Sequence, residues 1–232
     1  VQAQDLLDVF PRKVEGDVAY APWGPVSHSS ASYGSEPLSA TLRIFDLQTG
    51  NQRIAQAGLG WISTLCYSLS LDAIVVVDSV SRQLRLFDVE ALLLPDARPR
   101  LTCEPLAGEP RRLAVIERDA QPRLVVGAWG EAGAVTLHDI EPQGFALRRK
   151  LDLPDGDRAG RIAVGTRHLA IAGLYQPRLY LYDFDLEPVR SPLVVGCKPA
   201  ELAFAADDRL IVGTSDDECG APVLVFDGQS DY

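Results

Sequence analysis

The sequence contains no methionine, only three histidines and only four cysteines, so several classes of site have little to be built from. No two cysteines form a C-x-x-C pair, and no histidine stands at metal-ligand spacing, which argues against a zinc site. We therefore expect no metal and no cofactor. We interpret Cys66, Cys103, Cys197 and Cys219 as small buried apolar residues, not as a disulfide framework.

Methionine is missing even at position 1, which predicts that the N-terminus is processed or that the chain is cut from something longer. The longest apolar runs, such as Ala73–Val77, are too short to span a bilayer. No signal peptide is visible, so we expect a cytoplasmic protein without membrane contact. All but three of the 22 basic residues are arginine, a bias that fits a GC-rich bacterial genome.

Positive charge is also scarce, since 22 Lys and Arg residues face 32 Asp and Glu residues and the formal net charge is −10. Binders of nucleic acid or anionic membranes need clustered basic side chains, so neither partner is expected. The acidity itself indicates solubility. A hydrophobic share of 47% is enough for a well-buried core.

What the sequence does contain is a pentamer repeated five times: aliphatic, any residue, aliphatic, ring, aspartate. The ring residues are Phe45, Phe87, His138, Tyr182 and Phe226, and the aspartates that follow them are Asp46, Asp88, Asp139, Asp183 and Asp227. Successive aspartates are 42, 51, 44 and 44 residues apart. Alternation with period two predicts that each pentamer is a β-strand.

Three further strands accompany the pentamers. A second strand precedes four of them, at Ile74–Val77, Leu124–Val126, Leu169–Ala172 and Leu210–Val212. A first strand precedes each of these, at Ile62–Tyr67, Arg112–Ile116, Arg161–Val164 and Glu201–Phe204. A fourth strand follows four pentamers, at Gln52–Gln56, Pro99–Glu104, Phe145–Leu151 and Pro192–Val195. This order predicts an all-β, single-domain β-propeller of five four-stranded antiparallel blades, at about 1–58, 59–108, 109–156, 157–197 and 198–232.

The first and last blades are irregular. In the first we expect strands near Leu6–Phe10 and Asp17–Pro22, then an insertion, Gly24–Ser39, whose Ser, Gly and Pro content predicts a loop. The fifth blade needs a fourth strand from elsewhere to cover its open edge. Either Gln4–Phe10 supplies that strand or, as we favour, a segment upstream of residue 1 does, with an upstream domain or further blades missing from this chain.

Two stretches resemble WD40 repeats. Leu42–Gly50 (LRIFDLQTG) is similar to the end of such a repeat, and Asp207–Asp217, leading to Asp227, is similar to a blade. The likeness covers essentially the whole chain at blade level, although Phe, His or Tyr replaces the tryptophan and Gly-His is missing. A WD40-like propeller implies a protein-interaction scaffold, and the bacterial members often accompany AAA-type ATPases, von Willebrand-type domains or signalling modules.

The predicted strand order places aromatic and arginine residues on one face. In a propeller, the connections that lead into each first strand emerge beside those between second and third strands. Exposed aromatics beside arginine are typical of protein-binding hot spots, whereas the alternative is that each tryptophan packs between neighbouring blades. The candidate partner-binding residues are Trp23, Trp61, Trp129, Tyr175, Arg82, Arg112 and Arg161.

The pentamer aspartates are too regular to be catalytic, and we expect them to cap turns through backbone hydrogen bonds. No G-x-S-x-G, Walker A or dinucleotide fingerprint is present. The first strands, which should line the channel, carry mostly aliphatic residues. We therefore expect a non-catalytic scaffold. The alternatives are a small-ligand or carbohydrate-binding propeller with pockets between blades, and a hydrolase or lyase with its site at the channel.

Overall fold

The computed structural model describes residues 18–21, 24–30, 40–45, 52–60, 62–92, 94, 96–118, 121–131, 133–214 and 223–226. Within these ranges the chain is built of β-strands, with one four-residue helix, α1 (Val89–Leu92), and one 3₁₀ turn (Pro154–Gly156). The chain divides into two compact units, 1–106 and 107–232. None of the described helical segments is long and apolar enough to cross a membrane.

The first unit holds two four-stranded antiparallel sheets, each with its strands in sequential order. The first sheet comprises β1 (Val18–Ala21), β2 (Gly24–Ser30), β3 (Ala40–Phe45) and β4 (Gln52–Leu59). The second comprises β5 (Ile62–Ser68), β6 (Ala73–Asp78), β7 (Gln83–Asp88) and β8 (Leu101–Thr102).

The second unit holds three sheets of the same antiparallel, sequential kind. The third sheet comprises β9 (Glu109–Ile116), β10 (Arg123–Trp129), β11 (Val135–Glu141) and β12 (Gly144–Leu151). The fourth comprises β13 (Ala159–Val164), β14 (Leu169–Gly173), β15 (Arg178–Tyr182) and β16 (Leu193–Val194). The fifth comprises β17 (Pro199–Phe204), β18 (Leu210–Thr214) and β19 (Val223–Phe226).

These sheets confirm the all-β, antiparallel blade architecture, and the first four residues of every pentamer, up to the ring residue, lie in the third strand of its sheet. The prediction of five complete four-stranded blades is wrong, because only four of the sheets have four strands within the described residues. The fifth sheet ends there with its third strand, β19. The segment considered for its fourth strand, Gln4–Phe10, lies outside the described residues.

The first sheet also differs from its prediction. Val18–Ala21 is its first strand and not its second, and Gly24–Ser30, expected to be part of a loop, is its second strand. This strand pairs with β1 on one side and β3 on the other. Hydrogen bonds along both edges offset the low strand propensity of its Ser and Gly residues. The strand expected near Leu6–Phe10 lies outside the described residues.

Four of the five first strands carry a β-bulge at the same place. In β9, Arg112 pairs with Gly127 and Pro110 pairs with Ala128, so the residue between them is extra. The same two-against-one pairing occurs in the other three strands. The extra residues are Ser63, Arg111, Gly160 and Ala200. A bulge bends and twists its strand and redirects the neighbouring side chains.

In the second unit, the core lies on both faces of β14, the second strand of the fourth sheet. Every residue of β14 is buried. Leu169 and Ile171 pack in one cluster with residues of the third sheet, while Ala170 and Ala172 pack with Leu210 of the fifth sheet. A strand that is covered on both faces needs apolar residues without alternation, which is what these runs show.

His138 is the ring residue of the pentamer in β11, the third strand of the third sheet, and its side chain is buried. Its Nε2 lies 2.9 Å from Thr136 Oγ1, and within the described residues its Nδ1 has no hydrogen-bond partner. Burial lowers the pKa of the imidazole from 6.5 to about 4, with a smaller opposing effect from Asp139. The folded protein therefore holds His138 uncharged at neutral pH.

This burial makes stability depend on pH. The unfolded chain takes up a proton on His138 as the pH falls through 6.5, whereas the folded chain takes it up only near a pKa of about 4. Stability is therefore lost between these two values, by at most about 3 kcal/mol. His138→Phe, which places there the ring found in three of the other repeats, should remove this loss. Urea unfolding followed from neutral to acidic pH measures it, and an unchanged slope in the variant would contradict it.

The cysteine prediction needs a correction. Cys197 is buried and disulfide-bonded, whereas Cys66 and Cys103 form no disulfide. The partner of Cys197 lies outside the described residues. Cysteines distant in sequence are brought together by tertiary structure, which spacing alone does not reveal. Cys103 Sγ accepts a hydrogen bond from the Leu84 amide at 3.0 Å, and burial raises the pKa of its thiol.

Thiol counting tests the disulfide. After denaturation without reductant, an alkylating reagent should label two of the four cysteines, Cys66 and Cys103. After reduction it should label all four, as read from the mass of the intact protein. The native protein should react more slowly at Cys103 than at Cys66, because the thiol of Cys103 is buried and its pKa is raised. Four labels before reduction would rule the disulfide out.

Candidate functional site

Trp129, at the end of β10, forms the centre of an arginine-rich cluster in the second unit. The guanidinium carbons of Arg111 and Arg112 lie 5.6 and 5.4 Å from the centroid of its ring. Both distances are within the range of a cation–π interaction. The bulge at Arg111 lets two successive residues of β9 reach the same ring, which a regular strand would direct to opposite faces.

The neighbouring sheet fixes this arrangement from the other side. Trp129 Nε1 donates to Ala159 O at 2.9 Å, and Arg112 Nε donates to Gly160 O. Arg161 Nη1 donates to the same Gly160 oxygen at 2.9 Å. The bulge carbonyls of β13 thus serve as acceptors for the third sheet. The two sheets can approach this closely because residue 127 is glycine. A Cβ added at this position would lie 2.7 Å from the Cβ of Ala159.

Further contacts extend the cluster towards the exposed loops. Arg158 Nε donates to Gly130 O at 3.1 Å, and Arg161 Nη2 contacts Glu201 Oε1 at 2.9 Å. The Tyr175 amide donates to Asp157 Oδ1 at 2.9 Å, while its side chain is 65% exposed. The loop cluster, as we call it below, consists of Arg111, Arg112, Trp129, Arg158, Arg161 and Tyr175.

The structure brings four of the seven predicted partner-binding residues into this cluster, namely Trp129, Tyr175, Arg112 and Arg161. Arg82 belongs to the first unit, where it is exposed in the turn between β6 and β7 with a φ of 57°. Trp23 and Trp61 lie outside the described residues. The described part of the chain therefore supports a site built on the second unit alone.

Buried carboxylates that the sequence reasoning missed hold the loops in place. Asp78, at the end of β6, accepts hydrogen bonds from the amides of Gly60, Val80 and Ser81 at 3.1 to 3.3 Å and lies 3.2 Å from Arg85 Nη2. It therefore ties the connection before β5 to the turn after β6.

Asp157 links two loops of the second unit in a similar way, although it precedes a first strand, whereas Asp78 ends a second strand. Asp157 lies before β13 and accepts hydrogen bonds from the Tyr175 amide and the Tyr180 hydroxyl, both at 2.9 Å. Burial and the hydrogen bond from its hydroxyl to Asp157 both raise the pKa of Tyr180. In the sequence, each of these two residues is a single aspartate, one at the end of β6 and one before β13. Neither aspartate recurs in the other repeats, so the repeat pattern did not identify them.

The pentamer aspartates have differing contacts. Asp183 Oδ1 accepts hydrogen bonds from the amides of Asp185 and Glu187, both at 2.9 Å, which is a turn-capping geometry. Asp88 instead forms an exposed ion pair with Arg100 at 2.6 Å, and Asp139 lies 3.6 Å from Arg148. Asp46 and Asp227 lie outside the described residues.

A separate cavity of about 200 Å³ opens between β12 and β15 of the second unit. Its lining is mainly apolar and includes Leu151, Tyr180, Tyr182, Leu186 and Pro188. Arg149, Asp152 and Arg190 line it as well. Elsewhere in the described ranges, no group of three or more His, Cys, Asp and Glu side chains is placed to hold a metal ion.

Comparison with known proteins finds similarity of structure only. No family model matches the sequence, and no curated protein matches it. The β-propeller domain of Cps50 (Swd1) from Myceliophteria thermophila superimposes with a TM-score of 0.65 at 12% identity, over 85% of this chain and 65% of that one. The chain thus spans slightly less than two thirds of that domain.

Two further solved structures are similar. The dihydro-heme d1 dehydrogenase NirN, in complex with DHE, has a TM-score of 0.62 at 13% identity, over 91% of this chain and 47% of that one. A protein of unknown function from Bacteroides caccae has a TM-score of 0.56 at 10% identity, over 88% and 70%. At such identities the likeness concerns the fold, and the chain has the fold of a β-propeller.

Two aspartate variants compare the buried carboxylate of Asp78, which links two loops, with the partly exposed carboxylate of Asp183, which caps a turn. Asp78→Ala removes the acceptor of three amides and the partner of Arg85, so it should cost roughly 3 kcal/mol of unfolding free energy or more. Asp183→Ala removes one partly exposed cap and should cost roughly 1 kcal/mol. Chemical denaturation measures both. Equal losses, or none for Asp183→Ala, would contradict the roles assigned to these residues.

Proposed function

We propose that this chain is a non-catalytic, WD40-like β-propeller scaffold whose loop cluster binds a protein partner. The observation that carries the proposal is the contrast inside the cluster. Trp129 is held by two arginines and a backbone acceptor, while Tyr175, in the same loop cluster, presents a 65% exposed ring. Aromatic and arginine side chains grouped in this way are typical of interface hot spots.

The charges of the cluster indicate the chemistry of the partner. Four of its six residues are arginines, on a chain whose formal net charge is −10. Arginine is enriched at protein interfaces, where its planar group both stacks on rings and binds carboxylates. An acidic segment that also offers an apolar side chain to Tyr175 fits this surface. A fused or associated ATPase or signalling module, as the WD40 resemblance implies, is the proposed source of that segment.

The propeller domain as a whole and its cellular compartment are also part of the proposal. We infer a single propeller domain that contains the four complete, four-stranded blades. The disulfide at Cys197 favours an oxidising compartment over the cytoplasm that the composition suggested, because reducing compartments keep thiols free. The alternatives are a carbohydrate-binding propeller and a hydrolase or lyase with its site at the channel. The described residues hold no feature that favours one of these.

Alanine variants of exposed side chains test the binding face. Tyr175→Ala should lower capture of the partner at least roughly tenfold without changing the melting temperature, because its ring is 65% exposed. Arg161→Ala should weaken capture, and raised salt should reduce the wild-type signal. Capture followed by mass spectrometry identifies the protein whose recovery changes.

Leu147→Ala is the matched control, since Leu147 is 60% exposed on β12 and is not part of the loop cluster. It should leave both capture and stability unchanged. Trp129→Ala should lower stability as well as binding, because Trp129 joins two sheets. If Tyr175→Ala and Arg161→Ala recover the same proteins as the wild type in the same amounts, the loop cluster is not a binding face.

A further inference from the structure

The cavity between β12 and β15 has one wall from each of two neighbouring sheets. Leu151 and Asp152 lie on the wall of the third sheet, while Tyr182, Pro188 and Arg190 lie on the wall of the fourth. Both walls are mainly apolar, and each also carries charge. A ligand that enters the cavity therefore meets apolar surface together with a carboxylate from one wall and a guanidinium from the other.

Backbone hydrogen bonds fix both walls. On the wall of the third sheet, the Asp157 amide donates to Pro154 O at 3.1 Å and closes the turn that follows β12. On the wall of the fourth sheet, the Val189 amide donates to Leu181 O at 3.0 Å, which holds the segment before Arg190 along β15. The cavity is therefore formed before a ligand arrives, so binding does not have to order its walls.

The two opposite charges of the cavity do not contact each other. Asp152 is exposed and forms no ion pair within the described ranges, so it does not touch Arg190, although both line the same space. The third charged residue of the lining, Arg149, pairs with Glu187 and donates to Asp185 O at 3.1 Å. A ligand that carries both a positive and a negative group can therefore contact Asp152 and Arg190 at once.

The volume of the cavity limits the rest of the ligand. At about 200 Å³ it is smaller than the roughly 300–1,000 Å³ of sites for drug-sized ligands. An apolar cavity of roughly 150 Å³ is large enough for benzene. A branched aliphatic side chain with a small polar head group fits between these limits, and Leu151, Leu186 and Pro188 offer it apolar surface.

We propose that the cavity between β12 and β15 binds a free α-amino acid with an aliphatic side chain. Its ammonium group pairs with Asp152, its carboxylate pairs with Arg190, and its side chain lies against the apolar lining. A guanidinium has five N–H donors, so Arg190 can bind the carboxylate in addition to its contacts within the protein. This site is distinct from the loop cluster, and the proposal does not rest on the function proposed for that cluster.

Four probes test the three parts of the proposed contact. L-Leucine has all three parts, whereas 4-methylpentanoate lacks the ammonium group, 3-methylbutylamine lacks the carboxylate and glycine lacks the side chain. NMR titrations of the intact chain should show that leucine binds with a dissociation constant of roughly 1 mM or lower. Each of the other three probes should bind at least roughly tenfold more weakly, because each loses one charge-assisted contact or the apolar contact.

Two variants assign the charges. Asp152→Asn should weaken leucine roughly tenfold and leave 4-methylpentanoate unchanged, since only the ammonium group loses its partner. Arg190→Gln should weaken both leucine and 4-methylpentanoate and leave 3-methylbutylamine unchanged. These comparisons are made between probes on the same variant, so a change in the amount of folded protein does not affect them.

Asp207→Asn is the matched control, since Asp207 is an exposed aspartate in the turn between β17 and β18 and does not line the cavity. It should keep the wild-type affinity for leucine. The proposal is overturned if leucine does not bind the folded wild-type chain, or if either singly charged probe binds as tightly as leucine. It is also overturned if Asp152→Asn and Arg190→Gln keep the wild-type affinities.

Discussion

The structure depends on one constraint, which is that the second strands β6, β10 and β14 are covered on both faces. β6 and β14 have no exposed residue, so a sheet of this kind is stable only with a neighbour on either side. Close neighbours require small residues where strands approach, as at Gly127 opposite Ala159. The hydrophobic effect thus sets the spacing of the sheets, and the positions of the polar groups follow from it.

The polar contacts that hold the loops lie at the strand ends and at the bulges. There the backbone leaves amides and carbonyls outside the ladders, and these groups need partners. Asp78 and Asp157 accept from such amides, while Arg112, Arg161 and Trp129 donate to the carbonyls of β13. The loop cluster arises from the same requirement that holds the loops in place.

Much of this fold could be predicted from sequence, since strands that alternate or run apolar leave a strong signal. The predicted fourth strand Phe145–Leu151 and the observed β12 differ by one residue. Three of the first strands were expected to begin too late, at Arg112, Arg161 and Glu201, which are the residues that follow a bulge. The extra residue interrupts the period of two, so the pattern hides the start of the strand.

The candidate site was less accessible to prediction for a different reason. The side chains that hold it in place act alone and do not recur, as with Asp157. A repeat analysis emphasises what the blades share and therefore passes over them. The β2 strand escaped prediction because its stability comes from paired neighbours and not from its own residues.

The recurring bulge has a consequence for how such repeats evolve. Its extra position holds Ser63, Arg111, Gly160 or Ala200, so it has tolerated a hydroxyl, a long cation, no side chain and a methyl group. The pairing on either side is the same in all four strands. A gene duplication that copies a blade therefore copies a residue outside the ladder, where mutation can change the chemistry of the surface while the sheet is inherited intact.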